Sequence, residues 1–289
     1  MKLSVIIPCH NAADTIATQL EALAGQRWSE PWEIIVVDNG STDQTQAVVQ
    51  QYRERFDHFR LLNAFDRRGS AHARNVGAQA AMGEALAFCD ADDAVAPGWV
   101  ASIGEAIAQY DFVASRMEWE KLNPPWTYLN RGRPQQDGLQ EVSYSPYLPH
   151  AGGSGLGVKR ALHEAVKGFD ESLLRLMDTD YCFRIQRLGV KLHFAPDAIV
   201  HVRHRDTIRG TFHQARLWAK YNVLLYKRYR VPGERVVHPW RRYAYAWKGI
   251  LRSLPQLRSR DGRVRWIRRL GRQIGLLQGS LRYLVPPID

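Results

Sequence analysis

Two aspartates one residue apart, Asp90 and Asp92, close the run Phe88-Cys89-Asp90-Ala91-Asp92-Asp93. The preceding residues 85–89 are apolar. If they form a strand, residues two apart point to the same side, and the two carboxylates converge on one point. Their repulsion is costly unless a cation sits there. Hard oxygen ligands suit Mg2+ or Mn2+, whose open positions can take diphosphate oxygens. The same spacing also occurs in plain solvated turns, so the context of the run decides its meaning.

That context is a regular alternation. Largely apolar runs at residues 3–8, 33–38, 59–62 and 85–89, the first two rich in Val and Ile, read as strands. Residues 15–24, 41–56 and 70–81 between them read as helices. The rhythm predicts an α/β fold with a mostly parallel, open sheet and helices on both faces. Such sheets bind ligands at the carboxyl ends of their strands. Three strands end in polar clusters: Pro8-Cys9-His10-Asn11, Asp38-Asn39-Gly40-Ser41 and Asp90-Ala91-Asp92-Asp93. Residues 121–157 are rich in Pro, Gly, Gln and Asn and read as long loops beside the site. Helices are expected over 159–166 and 178–188, and short strands over 190–194 and 199–201.

The 289 residues are enough for one large domain with its own core, or for one domain plus an extension, and the 45% hydrophobic content is ordinary for a globular protein. Three widely spaced cysteines, Cys9, Cys89 and Cys182, suggest reduced thiols. The apolar N-terminal stretch is too short for a signal peptide or a span, and Pro8 breaks it.

The motifs SVIIPCHNA (4–12), EIIVVDNGSTDQT (33–45), GSAHARNVGAQAAMGEALAFCDADD (69–93), KRALHEAVKGFDESL (159–173), DTDYCFRIQRLG (178–189) and FAPDAIVHVRHRDT (194–207) occur in this order. Together they resemble the family 2 glycosyltransferases of the GT-A fold. The resemblance implies a nucleotide-sugar-binding and catalytic domain over residues 1–207, with acceptor loops at about 121–157. Pro8, His10, Asn11, Asp38, Asn39, Arg74, Asp90 and Ala91 would hold the nucleotide sugar. Asp92 would be the principal metal ligand, joined by Asp90 and His201, for Mn2+ or Mg2+. The family inverts the anomeric centre by one displacement, so the acceptor hydroxyl needs a base within reach. Asp178 matches that base, although Met177 stands where the family usually has Glu. Gly152, Gly153 and Ser154 match a glycine-rich acceptor loop. Asp180 is a candidate acceptor contact or a structural partner of Arg184. Trp119, Trp126 and Tyr128 are candidates to stack on a sugar or to pack in the core.

Residues 208–289 change character. From Arg203 onward stand about twenty Lys and Arg against four acids, Asp206, Glu234, Asp261 and Asp289, within a net charge of +11 for the chain. Ile267, Leu270, Ile274, Leu277, Leu281 and Leu284 form one apolar stripe at helical spacing, and Trp240, Tyr243, Trp247, Leu251 and Leu254 form another. Basic helices with Trp at the boundary suit an anionic membrane surface, and no run is long enough to cross one. The expectation is an inverting transferase on the cytoplasmic face of the cell membrane. It would move a sugar from a UDP, dTDP or GDP donor to a glycan or lipid-linked hydroxyl in surface polysaccharide or glycolipid synthesis. A nucleotidyltransferase would want a basic glycine-rich loop where PCHNAADT has neither glycine nor Lys or Arg. A non-catalytic scaffold would not need Asp38, Asp90, Asp92 and Asp178 together. Nucleic acid is not an expected partner, since no binding motif accompanies the charge.

Overall fold

The computed structural model describes residues 1–128, 132–204, 207–233 and 238–288. The side chain of Tyr128 and the acids Asp206, Glu234 and Asp289 lie outside the described residues. In chain order the elements begin β1 (Leu3–Cys9), α1 (Ile16–Ala24), β2 (Trp32–Asp38), α2 (Thr45–Gln50), β3 (Phe59–Asn63), α3 (Ser70–Ala80) and β4 (Ala85–Phe88). There follow β5 (Ala94–Val95), α4 (Trp99–Tyr110), β6 (Phe112–Glu118), α5 (Pro125–Tyr128), β7 (Leu156–Lys159), α6 (Arg160–Ala165), α7 (Met177–Gln186) and β8 (His193–His201). Three helices close the chain: α8 (Ile208–Tyr229), α9 (Pro239–Arg252) and α10 (Arg260–Tyr283).

Contacts divide the chain into two compact units. The first holds residues 1–122, 133–140 and 149–203, and the second holds 123–132, 141–148 and 204–289. The stretch 121–157, where acceptor loops are expected, is thus shared out between them.

The first unit is built on one sheet of order β3-β2-β1-β4-β7-β6-β8-β5. β1, β2, β3 and β4 run parallel; β1, β2 and β4 have the largely apolar, buried sequences expected of strands covered on both faces, whereas β3, at the sheet edge, is only half-buried. β7 is antiparallel to both β4 and β6, β8 is parallel to β6, and β5 is antiparallel to β8. The sheet is therefore mixed, with its parallel half at the N-terminal end. β1 leads out to β2 on one side, whereas β3 returns through α3 to β4 on the other. The order of connection reverses between β1 and β4, and in open α/β sheets ligands sit in the crevice at such a reversal. Pro8–Asn11 and Asp90–Asp93 end those two strands.

Several expectations change. The helix expected over 41–56 shortens to Thr45–Gln50. The Ser41 hydroxyl bonds to Asp38 Oδ1 at 2.5 Å, and the backbone N–H and hydroxyl of Thr45 both donate to Asp43 Oδ1 instead. The two strands expected within 190–201 are one, β8, whose pairing with β6 shifts register between Ser115 and Arg116. Residues 94–118, to which no element was assigned from the sequence, form β5, α4 and β6. One packed layer of the core unites Leu3, Val5 and Ile7 of β1 with Ile16 and Leu20 of α1 and Trp99, Ile103 and Ile107 of α4. The three cysteines are buried and unpaired with one another.

Candidate active site

The carboxylates of Asp90, Asp92 and Asp93 offer oxygens that all lie within 4.8 Å of one another, immediately after β4. Asp93 is 3% exposed. Burial, and then the charges of Asp92 and Asp90, push its carboxyl well above the usual carboxylate range. A carboxyl whose ionised form is disfavoured beside two others marks a site short of positive charge, and this donor set fits a hard divalent cation. The backbone N–H of Arg203 donates to Asp93 Oδ1 at 2.9 Å, and Arg203 Nε donates to the Asp92 carbonyl at 3.0 Å. The end of β8 thereby holds the acidic loop in place.

His201, at the end of β8, pairs with Ala94 just past that loop. It is not among the groups that converge within 4.8 Å. Its Nδ1 stands 3.2 Å from Glu118 Oε2, yet the buried nitrogen makes no hydrogen bond, so the pair is close without being aligned. Burial and the nearby Lys121 hold its imidazole below the ordinary value, against the pull of Glu118. The neutral ring is the form a metal takes.

Arg74 projects from α3, whose small residues Ala71, Ala73, Gly77 and Ala78 are buried. A Cβ at Gly77 would stand 2.5 Å from Ile6 of β1, so only glycine lets the helix lie this close to the strand. Arg74 is 4% exposed, and its Nη2 meets Asp90 Oδ1 at 2.5 Å. Gly153 lies against the same guanidinium: a Cβ there would sit 2.8 Å from Nη2. The Gly153 N–H donates to Asp178 Oδ2 at 3.0 Å. Asp178 occupies the first turn of α7, entered through Leu176 at φ +59°. The next residue of the loop, Ser154, accepts from the Asp90 N–H at 3.1 Å. Asp178, Gly152–Ser154, Arg74 and the acidic loop therefore make one connected cluster, although they come from four separate stretches of chain.

The nucleoside side of the expected site is also assembled. Asn11, at φ +50°, accepts the Thr42 N–H at 2.8 Å. Its own N–H donates to the Ser41 hydroxyl at 2.9 Å. Asp38 is fully buried, with Oδ1 bound by Ser41 and Oδ2 by Gln46 Nε2 at 2.6 Å. Asn39 donates to the carbonyls of Ala64 and Arg67 and accepts from Gly69 at 2.7 Å, which pins residues 64–69 beside the strand ends. His10 is exposed, with Arg68 Nη1 3.5 Å from its Nε2. Pro8 and Ala91 are buried.

One candidate is displaced from the site. Asp180 is fully buried and bound to Arg184 Nε at 2.7 Å, so it does not face an acceptor. Trp119 is 6% exposed and donates to the Pro134 carbonyl at 3.1 Å, which makes it core. Trp126, in the second unit, lies under the Arg260 guanidinium 3.9 Å from its ring centre. Two residues carry no sequence signal yet hold the site: Arg203, and Gln135, whose Oε1 accepts from the Gly152 N–H at 2.9 Å and whose Nε2 donates to the Ser115 carbonyl at 2.8 Å.

The model of glycosyl transferase family 2 matches residues 4–167, more than half of the chain. The chain belongs to this family. A second model, glycosyl transferase family group 2, matches residues 133–285. Among curated relatives, glycosyltransferase AglE of Haloferax volcanii is 29% identical over 205 residues, 68% of this chain and 65% of that protein. The uncharacterized glycosyltransferase YibD of Escherichia coli K12 is 36% identical over 135 residues, 47% of this chain and 37% of its own. The matches thus span about a third to two thirds of these relatives' lengths. Among solved structures, the mannosyltransferase PcManGT of Pyrobaculum calidifontis, in complex with GDP-Man and Mn2+, aligns over 98% of this chain and 87% of its own, with TM-score 0.66 and 20% identity. S. aureus TarS 1–349 in complex with UDP aligns over 98% and 91%, with TM-score 0.55 and 18% identity. These neighbours show that the chain has the GT-A fold.

Proposed function

We propose that the chain moves a sugar from a nucleoside diphosphate sugar to a hydroxyl acceptor with inversion at the anomeric carbon. The observation that carries this reading is the Gly153 N–H to Asp178 Oδ2 bond at 3.0 Å, which ties the candidate base to the loop lying on Arg74 and Asp90. Asp178 is held with one oxygen on Gly153 and the other on its neighbour's N–H, as a base must be if it is to accept a proton in a fixed direction.

In this reading the acceptor oxygen forms a bond to the anomeric carbon while its proton passes to Asp178. The bond from that carbon to the diphosphate oxygen breaks, and the nucleoside diphosphate leaves with the electron pair. Mn2+ or Mg2+ held by Asp92 and Asp90, with His201 close by, would neutralise the leaving diphosphate. Arg74 supplies a second, permanent positive charge on the Asp90 side. Pro8, His10, Asn11, Asn39 and Ala91 would enclose the nucleoside, and Asp38, fully buried with its oxygens on Ser41 and Gln46, would reach the base only by exchanging one of those partners for it. The solved neighbours carry UDP, UDP-GlcNAc or GDP-Man, which supports a UDP donor first and GDP after it, while a dTDP donor rests on the family resemblance alone. Gly152, Gly153 and Ser154 would border the acceptor, a glycan or lipid-linked alcohol of surface polysaccharide or glycolipid synthesis. That acceptor would place the protein on the cytoplasmic face of the cell membrane.

The test measures nucleoside diphosphate release from UDP-, GDP- and dTDP-sugars, with Mn2+ and with chelator. Release should need the metal and fall by about 100-fold or more in Asp178→Asn. Pyrophosphate as the product would mean nucleotidyl transfer instead. Release unaffected by Asp178→Asn would refute the assigned base.

A further inference from the structure

Helix α10 has two opposed faces, and the fold packs the one that is poor in apolar side chains. Gly271, Gly275 and Gly279 recur every fourth residue against α8. A Cβ on each would stand 2.7, 2.1 and 2.8 Å from the backbone oxygens of Phe212, Arg216 and Lys220. The two helices meet backbone to backbone, and the small core of this unit closes around Leu276, Val223 and Tyr226. The stripe Ile267, Leu270, Ile274, Leu277, Leu281 and Leu284 is left outside that contact. Its first three residues are half-buried, and Leu277, Leu281 and Leu284 are 36%, 66% and 85% exposed.

The second sequence stripe divides in the same way. Tyr243 turns inward and donates from its hydroxyl to the Gln273 carbonyl at 3.1 Å, while Trp240, Leu251 and Leu254 stay 52%, 62% and 45% exposed. Residues 238–288 carry twelve Lys and Arg and one acid, Asp261. A second copy seated on this face would bring two such cationic sets together. Nucleic acid would satisfy the charge and leave the leucines in water. An anionic bilayer satisfies both, with apolar side chains at the acyl boundary and cations among the headgroups. Among the described residues no helix is long and apolar enough to cross a membrane, so contact in the plane is the available geometry.

We propose that the outward face of α10 docks in the plane of an anionic lipid bilayer, with Leu277, Leu281 and Leu284 as its anchors. This deepens the reading of a lipid-linked acceptor and takes its purpose from it. The test sediments the full chain with vesicles of phosphatidylcholine alone, or mixed equally with phosphatidylglycerol, at low and high salt and without nucleotide. Binding should require phosphatidylglycerol and weaken with salt. Leu277→Asp combined with Leu281→Asp should lower it about tenfold or more. Leu188→Asp, at an exposed leucine of the first unit, should bind as the parent does. If the double variant misfolds by circular dichroism, Leu284→Asp alone carries the test, with an expected loss of about threefold. Parent protein that ignores anionic vesicles, or variants that bind as well as the parent, would overturn the proposal. So would self-association that Leu281→Asp abolishes in protein that ignores vesicles, which would give the face to a second copy. Nucleoside diphosphate release by the double variant toward a soluble acceptor should stay at the parent level, so the docking face and the transfer reading can fail separately.

Discussion

Arg74 Nη2 lies 2.5 Å from Asp90 Oδ1, with 5% of the arginine side chain exposed and 36% of the aspartate. The pair sits beside two further carboxylates, so the guanidinium is a built-in counter-charge for part of the acidic cluster.

Arg74→Ala removes that charge. Because Asp90 is partly solvated, the expected loss of stability is about 1–3 kcal/mol, less than for a fully buried pair. Mn2+ should raise the melting temperature of the variant more than that of the parent, since the metal supplies the missing charge. Thermal unfolding with and without Mn2+ checks this. Equal shifts would show that Arg74 and the metal do not share Asp90.

Asp180→Asn separates structure from acceptor binding. Asp180 is fully buried and its partner Arg184 is 24% exposed, so breaking the pair should cost about 2–4 kcal/mol. KM for donor and acceptor should not move at a temperature where the variant is folded. A rise in acceptor KM alone would return Asp180 to the acceptor site.

Gly275→Ala tests the α8–α10 contact. Alanine favours a helix interior by up to about 1 kcal/mol over glycine. Here the new Cβ would lie 2.1 Å from the Arg216 carbonyl oxygen, which is backbone and cannot rotate away. The net effect should be a loss of about 1–3 kcal/mol, read by denaturant unfolding. A stabilised variant would show that the helices are not in close contact.

His163 sets part of the acid limit. It is buried, with Nδ1 2.9 Å from the Tyr181 hydroxyl. Burial, and then Arg184 and Arg160, bring its pKa from 6.5 down to about 4. Between those values the unfolded chain binds a proton that the native protein refuses, so stability falls as pH drops. The contribution is complete above pH 6.5 and is lost by pH 4, to a total of about 3 kcal/mol. His163→Gln should flatten the dependence of unfolding free energy on pH within that window. Parallel curves would remove His163 from the account.

The parallel half of the sheet was legible in the sequence because strands covered on both faces must be apolar throughout. β4 is such a strand, β1 and β2 are interrupted near their starts by Ser4 and Glu33, and the polar clusters that end all three mark where the sheet opens to a ligand. The second half was harder to read. β7 is only four residues long and contains Gly157, and β8 carries polar and charged residues among its apolar ones, so neither shows a clean period. Gln135 reaches the site by bonding its side-chain amide to the backbone of Gly152 and Ser115, and Arg203 through its own backbone N–H and Nε; a residue's type does not announce such distant partners.

By itself the sequence determined the family, the parallel strands, the Asp90–Asp92 pair and the presence of two apolar stripes in the basic tail. The family follows from the ordered motifs, and the strands, the acidic pair and the stripes follow from composition and local period. Only the tertiary structure decided that Asp178 bonds to the Gly153 loop beside Arg74, that Asp180 belongs to Arg184, and that α10 packs through its glycines. Periodicity shows which residues share a face of a helix. Which face meets a neighbour depends on how closely the two backbones can approach, and along α10 the glycines allow the closer approach.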